Sequence, residues 1–328
     1  MAQRRNELDF LKTVGLLCII LAHVNRPPFL FQLRNFDVPM MVLISGILAQ
    51  ISWERTAVPI RPGQYITKRF IRLVVPTWIF LTFYFLYLYI KQALPEPVII
   101  LNTFLLAESG IGFVWIVSVY MICAALTPFV RYVDLNKGSH AFALAMIYIC
   151  YELLFRSGHG LPNLILNNLF YYIVPYGSVL ILGFNYDRLS AKKKNGIMLA
   201  SLCIYGILAI HLMMKNGGYV QTNAWKYPAR LYYLSYAIAI SFFLLNICTS
   251  HPQCPLFRLR YIRFLSSSSF WIYLWHILLL NMVHTRNWFT HFLLVLAGSS
   301  LIVYLQNRLV DFAEKTWGHK EILSIFRG

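Results

Sequence analysis

The sequence predicts an all-α polytopic membrane protein with about ten transmembrane helices. Hydrophobic residues make up 59% of the chain and charged residues only 12%, whereas soluble domains average about 25% charged residues. Windows of about 20 apolar residues, the length that an α-helix needs to cross the hydrocarbon core, recur along the whole chain. Basic residues concentrate in alternate segments between these windows, which is typical of cytoplasmic loops.

The apolar windows define the predicted spans. They lie at approximately 9–27, 36–53, 70–90, 112–130, 141–155, 164–186, 196–213, 231–249, 264–283 and 288–307. The apolar stretch 97–107 is too short to span, and we interpret it as a re-entrant or interfacial segment. With a cytoplasmic N-terminus, this arrangement places most of the 29 Lys and Arg residues inside, so both termini are predicted to be cytoplasmic. Residues 1–328 are predicted to form a single transmembrane domain.

The charge and cysteine content exclude several functional classes. A formal net charge of +17 suggests nucleic acid only when a soluble domain carries a clustered basic face, and the loops here are too short to form one. The six cysteines are scattered without a CxxC pair, and the histidines show no metal-ligand spacing such as HExxH. The sequence therefore predicts neither nucleic-acid binding nor a metal site.

The first span carries a histidine well inside the predicted hydrocarbon region. An ionisable side chain at that depth is energetically expensive and marks a functional site. His23 follows Lys12 by 11 residues, which places both on nearly the same helix face, about 20° apart in azimuth and about 16 Å apart along the axis. Imidazole titrates near neutral pH, so His23 is a candidate general base towards a hydroxyl group.

The ninth span carries a second histidine at a similar predicted depth. Ser269, Tyr273 and His276 follow the spacing i, i+4, i+7 and share one helix face. Two histidines at one depth on different helices are consistent with a common cavity. A hydrogen-bonded packing histidine remains an equal alternative for His276.

The start of the third span is basic and contains a proline. Arg69 and Arg72 lie on one face at the predicted inner interface, and Pro76, one turn deeper, is expected to kink the helix. Arginine side chains suit phosphate recognition, although arginines that merely anchor the span are an equal alternative. In the second span, the pair Ser45 and Gly46 indicates close helix packing rather than a nucleophile.

The longest outer loops include the segment 215–230, KNGGYVQTNAWKYPAR. Its aromatic and amide side chains are of the kind that binds sugars. An ordinary interfacial loop with aromatic anchors is the simpler interpretation.

These motifs, in this order, resemble the acyltransferase-3 family, whose members are ten-span membrane proteins that acylate surface polysaccharides and related acceptors. The family opens with a leucine-aspartate element, a basic residue and a histidine 11 positions later, usually with arginine where this chain has lysine. The resemblance covers nearly the whole chain. The matching positions are Leu8, Asp9, Lys12, His23, Pro39, Ser45, Gly46, Arg69, Arg72, Pro76, Trp115, Ser269, Tyr273 and His276.

The resemblance implies transfer of an acyl group, usually acetyl, from cytoplasmic acetyl-CoA or another acyl-CoA to a sugar hydroxyl of a surface polysaccharide or lipid-linked glycan. It implies a bacterial cytoplasmic (inner) membrane location among membrane lipids, and it leaves the oligomeric state open. His23, His276 and Tyr273 are then the expected catalytic residues. Lys12, Arg69 and Arg72 are expected to bind the anionic CoA head.

A transporter of a glycan or small molecule is the competing class, because intramembrane histidines and a kinked helix would also serve transport. The scarcity of acidic residues within the spans, where Glu152 is the main candidate, disfavours it. A catalytically silent scaffold in a polysaccharide-export complex is a third reading.

Overall fold

The computed structural model describes residues 4–55, 61–107, 109–156, 164–318 and 323–327, and its regular structure is helical. The helices are α1 Asn6–His23, α2 Pro28–Leu33, α3 Asp37–Arg55, α4 Pro62–Ile90, α5 Pro97–Phe104, α6 Trp115–Val130, α7 Gly138–Arg156, α8 Leu164–Asn185, α9 Ala191–Asn216, α10 Leu231–Ser250, α11 Arg260–Ser267, α12 Ser269–Met282 and α13 Trp288–Trp317. The all-α fold class is therefore confirmed for the described residues.

A helix occupies each of the ten predicted spans. By length and composition, six apolar stretches of the described residues are able to cross a membrane. They are Pro28–Arg55, Pro62–Ile90, Gly138–Phe155, Ala191–Asn216, Leu231–Ser250 and Trp288–Trp317. The count of ten crossings and the cytoplasmic termini remain predictions. The apolar stretch 97–107 contains the short helix α5, Pro97–Phe104, whose relation to a membrane also remains a prediction.

The ninth predicted span is not one continuous helix. It divides at Ser268 into α11 and α12. The Ser268 N–H still donates to the Phe264 carbonyl at 2.9 Å, and its hydroxyl accepts from Asn307 Nδ2 at 3.4 Å. Ser267 Oγ donates to the same Phe264 carbonyl at 3.1 Å. Serine side chains that bond to the backbone in this way offer alternatives to regular helical bonding, which accounts for the interruption in the serine run 266–269.

The chain divides into two compact units. The first comprises Met1–Pro27, Gly63–Met121 and Gln253–Gly328, and the second Pro28–Pro62 and Ile122–Pro252. In the first unit, α1 packs against α11, α12 and α13. Its core includes Leu11 and Ile20 of α1 and Ile272 and Leu274 of α12, all of them fully buried.

In the second unit, α3 packs closely along α8, and α10 packs against α9 and α3. Two glycines set the spacing between α3 and α8. A Cβ atom built on Gly46 would lie 2.5 Å from the Leu180 carbonyl oxygen, and one on Gly183 would collide with the Leu43 carbonyl. The prediction that Gly46 permits close helix packing is therefore confirmed.

Capping residues stabilise both ends of α9 and α13. Ser190 Oγ accepts from the Lys193 N–H at the start of α9, and Asn287 Oδ1 accepts from the Phe289 and Thr290 N–H groups at the start of α13. Both helices end at a glycine with positive φ, Gly217 at 70° and Gly318 at 72°, a conformation that glycine adopts at no steric cost.

Candidate active site

The start of α1 is held by a polar cluster in the first unit. Asp9 accepts a hydrogen bond from Arg4 Nε at 2.5 Å and another from Ser266 Oγ at 2.6 Å. The hydrogen bond with Asp9 raises the pKa of Arg4. Thr13 Oγ1 donates to the Ile262 carbonyl at 3.2 Å. The contacts with Ser266 and Ile262 join α1 to α11 and hold the first turns of α1 against that helix.

Lys12 belongs to this polar cluster. Its ammonium donates to the Ser266 carbonyl at 2.9 Å, which uses one of the three donors that a lysine offers. The sequence motifs identify Lys12 and Asp9, but they do not identify Ser266. The serine run 266–269 was a usable signal, because hydroxyl groups in an apolar segment need hydrogen-bond partners.

Two basic residues of α4, Arg69 and Arg72, lie within electrostatic range of Lys12. Lys12 interacts electrostatically with Asp9, Arg72, Arg4 and Arg69. The Arg69 guanidinium lies 5.1 Å from the centroid of the Tyr65 ring, and Arg72 is exposed. The three residues predicted to bind an anionic donor are thus within electrostatic range of each other in one unit, and their binding of a donor remains a prediction.

Pro76 lies inside α4, as the sequence indicated, and it is buried. Deeper in the same helix, Phe80 is fully buried and meets the Trp275 ring edge-on, with the centroids 5.8 Å apart. Trp275 Nε1 in turn donates to Gln306 Oε1 at 2.9 Å. Contacts from α4 and α13 therefore fix the residue next to His276 on α12.

The two histidines predicted to share a cavity are in contact. His23 Nδ1 lies 3.3 Å from His276 Nε2, and the ring centroids are 5.1 Å apart. His276 is fully buried, whereas His23, the last residue of α1, is exposed. One imidazole is therefore accessible and the other supports it from inside the protein.

The hydrogen-bond network assigns the protons on this pair. His276 Nδ1 contacts the Tyr273 carbonyl, which can only accept, so Nδ1 carries the proton and Nε2 of the neutral ring accepts. His23 Nδ1 lies 2.8 Å from the Ile19 carbonyl, so it is also the protonated nitrogen. Its single N–H is shared between that carbonyl and the more distant His276 Nε2, at 3.3 Å. The lone pair of His23 is then on Nε2, where a base needs it.

Tyr273 supports His276 through its backbone and ring. Its carbonyl accepts from His276, and the two ring centroids are 5.1 Å apart. Its hydroxyl donates to the Phe113 carbonyl at 2.5 Å. These contacts position His276, and direct participation of Tyr273 in chemistry remains a prediction.

Three other residues of the sequence motifs lie on helices other than α1 and α12. Ser45 in the second unit donates to the Met41 carbonyl at 2.9 Å, one helical turn back, and Pro39 is buried in α3. Trp115 begins α6. Within the described residues, no group of three or more His, Cys, Asp or Glu side chains could hold a metal ion, and His159 and His319 lie outside those residues.

The second unit contains a buried ionic cluster that the sequence did not reveal. Asp37 Oδ2 accepts from Arg34 Nη1 at 2.6 Å, and Asp37 Oδ1 lies 3.7 Å from Lys226 Nζ. All three side chains are at most 5% exposed. Nearby, Asn35 Nδ2 donates to Thr222 Oγ1 at 2.7 Å. Lys226 and Thr222 belong to the segment 215–230, which is thereby tied to the start of α3.

Comparison with known proteins bears on this arrangement. The sequence model of one family, described as an acyltransferase domain, matches residues 5–306. No curated protein and no solved structure matches the chain. The matched region contains both histidines and all three predicted donor-binding residues. Of the six apolar stretches of the described residues that could cross a membrane, it contains five in full and the sixth, Trp288–Trp317, as far as residue 306. Because the match extends over nearly the whole chain, this protein belongs to the acyltransferase-3 family and is a membrane acyltransferase.

Proposed function

We propose that this protein transfers an acetyl group from acetyl-CoA to a sugar hydroxyl of a surface polysaccharide or a lipid-linked glycan. The contact between His23 and His276 is the structural observation that supports this proposal. It supplies an exposed imidazole whose Nε2 is the basic nitrogen, held by a buried imidazole behind it. Nucleophile activation by a base that a second group orients is the general pattern of acyl-transfer sites.

The donor class is inferred from charge. Lys12, Arg69 and Arg72 form a cationic set, which suits the anionic head of an acyl-CoA. Lys12 and His23 lie on one uninterrupted helix, about 16 Å apart along its axis. The pantetheine arm of CoA has a similar length, so a head bound near Lys12 would bring its thioester close to His23.

In the proposed step, His23 Nε2 takes the proton of the acceptor hydroxyl as the oxygen attacks the thioester carbonyl. The carbon–sulfur bond then breaks, and the CoA thiolate leaves and takes up that proton from His23. The products are the acetyl ester and CoA with a free thiol. Throughout, His23 Nδ1–H donates to the Ile19 carbonyl and towards His276 Nε2, and these two acceptors keep the imidazolium oriented and stabilised.

The acceptor is proposed from the family alone. A sugar hydroxyl has no charge and needs a base to attack a thioester, which fits the exposed position of His23. We place the protein in the bacterial inner membrane, with the donor site on the cytoplasmic side. Transfer of the acetyl group first to His23 Nε2 would use the same lone pair, and it is an outcome that the experiments below distinguish.

Calorimetry with the purified full-length protein in detergent tests the donor. We expect acetyl-CoA to bind the wild type, and Lys12→Ala and the double variant Arg69→Ala/Arg72→Ala to weaken that binding at least tenfold. Lys68→Ala is the matched control, because this exposed lysine precedes Arg69 on the same helix. No binding of acetyl-CoA to the folded wild type at millimolar concentration would overturn the proposal.

Rapid quenching with acetyl-labelled CoA, without acceptor, tests the chemical route. Direct transfer predicts no labelled protein. Label that appears in the wild type and is absent from His23→Ala would replace the general-base step with an acetyl-histidine step. Label retained by His23→Ala would overturn the role of this residue.

A further inference from the structure

A groove lies in the second unit, and none of its lining residues belongs to the candidate active site. Its volume is about 600 Å³, and α7, α8, α9 and α10 line it. The volume is within the range of about 300–1,000 Å³ that is usual for ligand sites. The groove therefore has room for a ligand.

Small residues on the two flanking helices create the groove. Gly138, Ala141 and Ala145 line it from α7, and Gly196 and Ala200 line it from α9. A Cβ atom built on Gly138 or Gly196 would meet nothing within 4 Å. The space is therefore not filled by neighbouring side chains of the same chain.

The flanking helices are the most exposed of the candidate spans. Only 6% of the apolar window is buried in α7 and in α9, compared with 61% in α10. Both helices are long and apolar enough to cross a membrane. With α7 and α9 in a bilayer, the groove between them would open to the hydrocarbon, and a hydrocarbon chain is the ligand that these surroundings supply.

One end of the groove is cationic. Among the lining residues, all of which the structure describes, Lys193 alone carries a formal charge. Its ammonium donates to Asn136 O at 3.3 Å and to Asn136 Oδ1 at 3.0 Å, which holds it at that end and leaves one of its three donors for a ligand. Lys192 and Lys194 flank it at the start of α9.

The dimensions match one leaflet of a bilayer. The lining residues of α9 extend from Lys193 to Ile204 on one helix face, a distance of about 16 Å. The hydrocarbon core of a bilayer is about 30 Å thick, so one leaflet is about half of that. A ligand with an anionic head at Lys193 would thus lay a single acyl chain along the apolar part of the groove.

We propose that this groove is a binding site for an anionic phospholipid, with the phosphate at Lys193 and one acyl chain between α7 and α9. Charge complementarity favours a lipid over a protein helix, because the single cation is at one end and the remaining lining is uncharged. The site is separate from acyl transfer and does not depend on the proposed acetyl-CoA donor.

Native mass spectrometry of the full-length protein, titrated with dioleoyl phosphatidylglycerol or dioleoyl phosphatidylethanolamine, tests the proposal. We expect one phosphatidylglycerol to bind the wild type more tightly than phosphatidylethanolamine. Lys193→Ala should weaken phosphatidylglycerol binding about tenfold, the value of a direct hydrogen bond to a charged group. Lys192→Ala is the control, because this lysine does not line the groove and should leave the affinity unchanged.

A second pair of variants tests the acyl-chain part. Ala200→Trp would fill the groove and should abolish binding of phosphatidylglycerol. Leu202→Trp, on the exposed side of α9, should leave that binding unchanged. Equal binding of the two phospholipids by the wild type, or an unchanged affinity in Lys193→Ala, would overturn the proposal. A wild-type dimer that Ala200→Trp converts to a monomer would instead identify the groove as an interface between copies and would also overturn it.

Discussion

His23 Nδ1 lies 3.3 Å from His276 Nε2, although the two residues are 253 positions apart in the chain. The exposed ring terminates α1 and the buried ring lies in the middle of α12. The Tyr273 carbonyl fixes the tautomer of His276, and the Ile19 carbonyl, 2.8 Å from Nδ1, fixes that of His23. These contacts make Nε2 the basic nitrogen of His23.

The first prediction concerns the roles of the two histidines. His23→Ala should lower the rate of acetyl transfer by about 10²–10⁴, the usual contribution of a general base. His276→Ala should lower the rate by a smaller factor, because His276 acts only through His23. The measurement is CoA released from acetyl-CoA, separated by chromatography, in the presence of a membrane extract that contains the acceptor.

His284→Ala is the matched control for this pair. His284 is an exposed histidine in the same unit, just beyond the end of α12. We expect its rate to equal that of the wild type. A His23→Ala variant that binds acetyl-CoA normally and still releases CoA at the wild-type rate would contradict the assignment.

The second prediction concerns the lysine at the position where the family usually has arginine. Lys12→Arg should keep acetyl-CoA affinity, because the positive charge is retained. Lys12→Met should weaken it by about 10–100-fold, the value of a hydrogen bond to a charged group. Calorimetry at two salt concentrations checks this, since loss of a charge contact should also reduce the salt dependence. Equal affinities of Lys12→Met and the wild type would remove Lys12 from the donor site.

Much of the fold could be predicted because it depends on local patterns. Apolar windows located a helix in every predicted span, and helix periodicity placed Lys12 and His23 on one face. The similar predicted depth of His23 and His276 indicated a common cavity, and the two rings are in contact. These features follow from helix rise and hydropathy, which the sequence shows directly.

Features that depend on contacts distant in sequence could not be predicted in the same way. The bond between Asp9 and Ser266 joins residues 257 positions apart, and the pair of Asp37 and Lys226 joins a helix start to a later loop. Charges in a predicted outer loop are usually solvated, so the sequence alone gave no reason to bury Lys226. The helix break at Ser268 was missed because hydropathy does not register hydroxyl competition for backbone groups.

The third prediction concerns the close approach of α3 and α8. Gly46→Ala should destabilise the protein by about 1–3 kcal/mol, the usual cost of overpacking a core, because the new Cβ would lie 2.5 Å from a backbone oxygen of α8. Gly206→Ala is the control, since a Cβ there meets nothing within 4 Å and alanine favours the helix. Thermal unfolding in detergent should show a lower midpoint only for Gly46→Ala. Equal midpoints for Gly46→Ala and Gly206→Ala would show that α3 and α8 accommodate the added methyl group without loss of stability.

The fourth prediction concerns the buried ion cluster of the second unit. Asp37→Asn would leave the buried cations Arg34 and Lys226 without their carboxylate, and removing one partner of a buried pair costs about 3–5 kcal/mol. Glu54→Gln is the control, because its pair with Arg188 is exposed and should be worth less than about 1 kcal/mol. Unfolding by denaturant in detergent measures both. A loss no larger in Asp37→Asn than in Glu54→Gln would contradict the structural role of the cluster.

The fifth prediction follows from the pKa of Lys226, which burial lowers from its ordinary value of 10.5 to about 8, while Asp37 opposes that shift. Between pH 8 and pH 10.5 the unfolded chain therefore binds a proton at this position that the folded chain has released, so folding stability rises with pH across this window. We expect the unfolding midpoint of the wild type to rise relative to that of Lys226→Met from pH 8 to pH 10, and their difference to stay constant below pH 7. Comparison of the two proteins at each pH cancels the titration of other groups. A difference that does not change with pH would show that Lys226 keeps its proton through its pairing with Asp37.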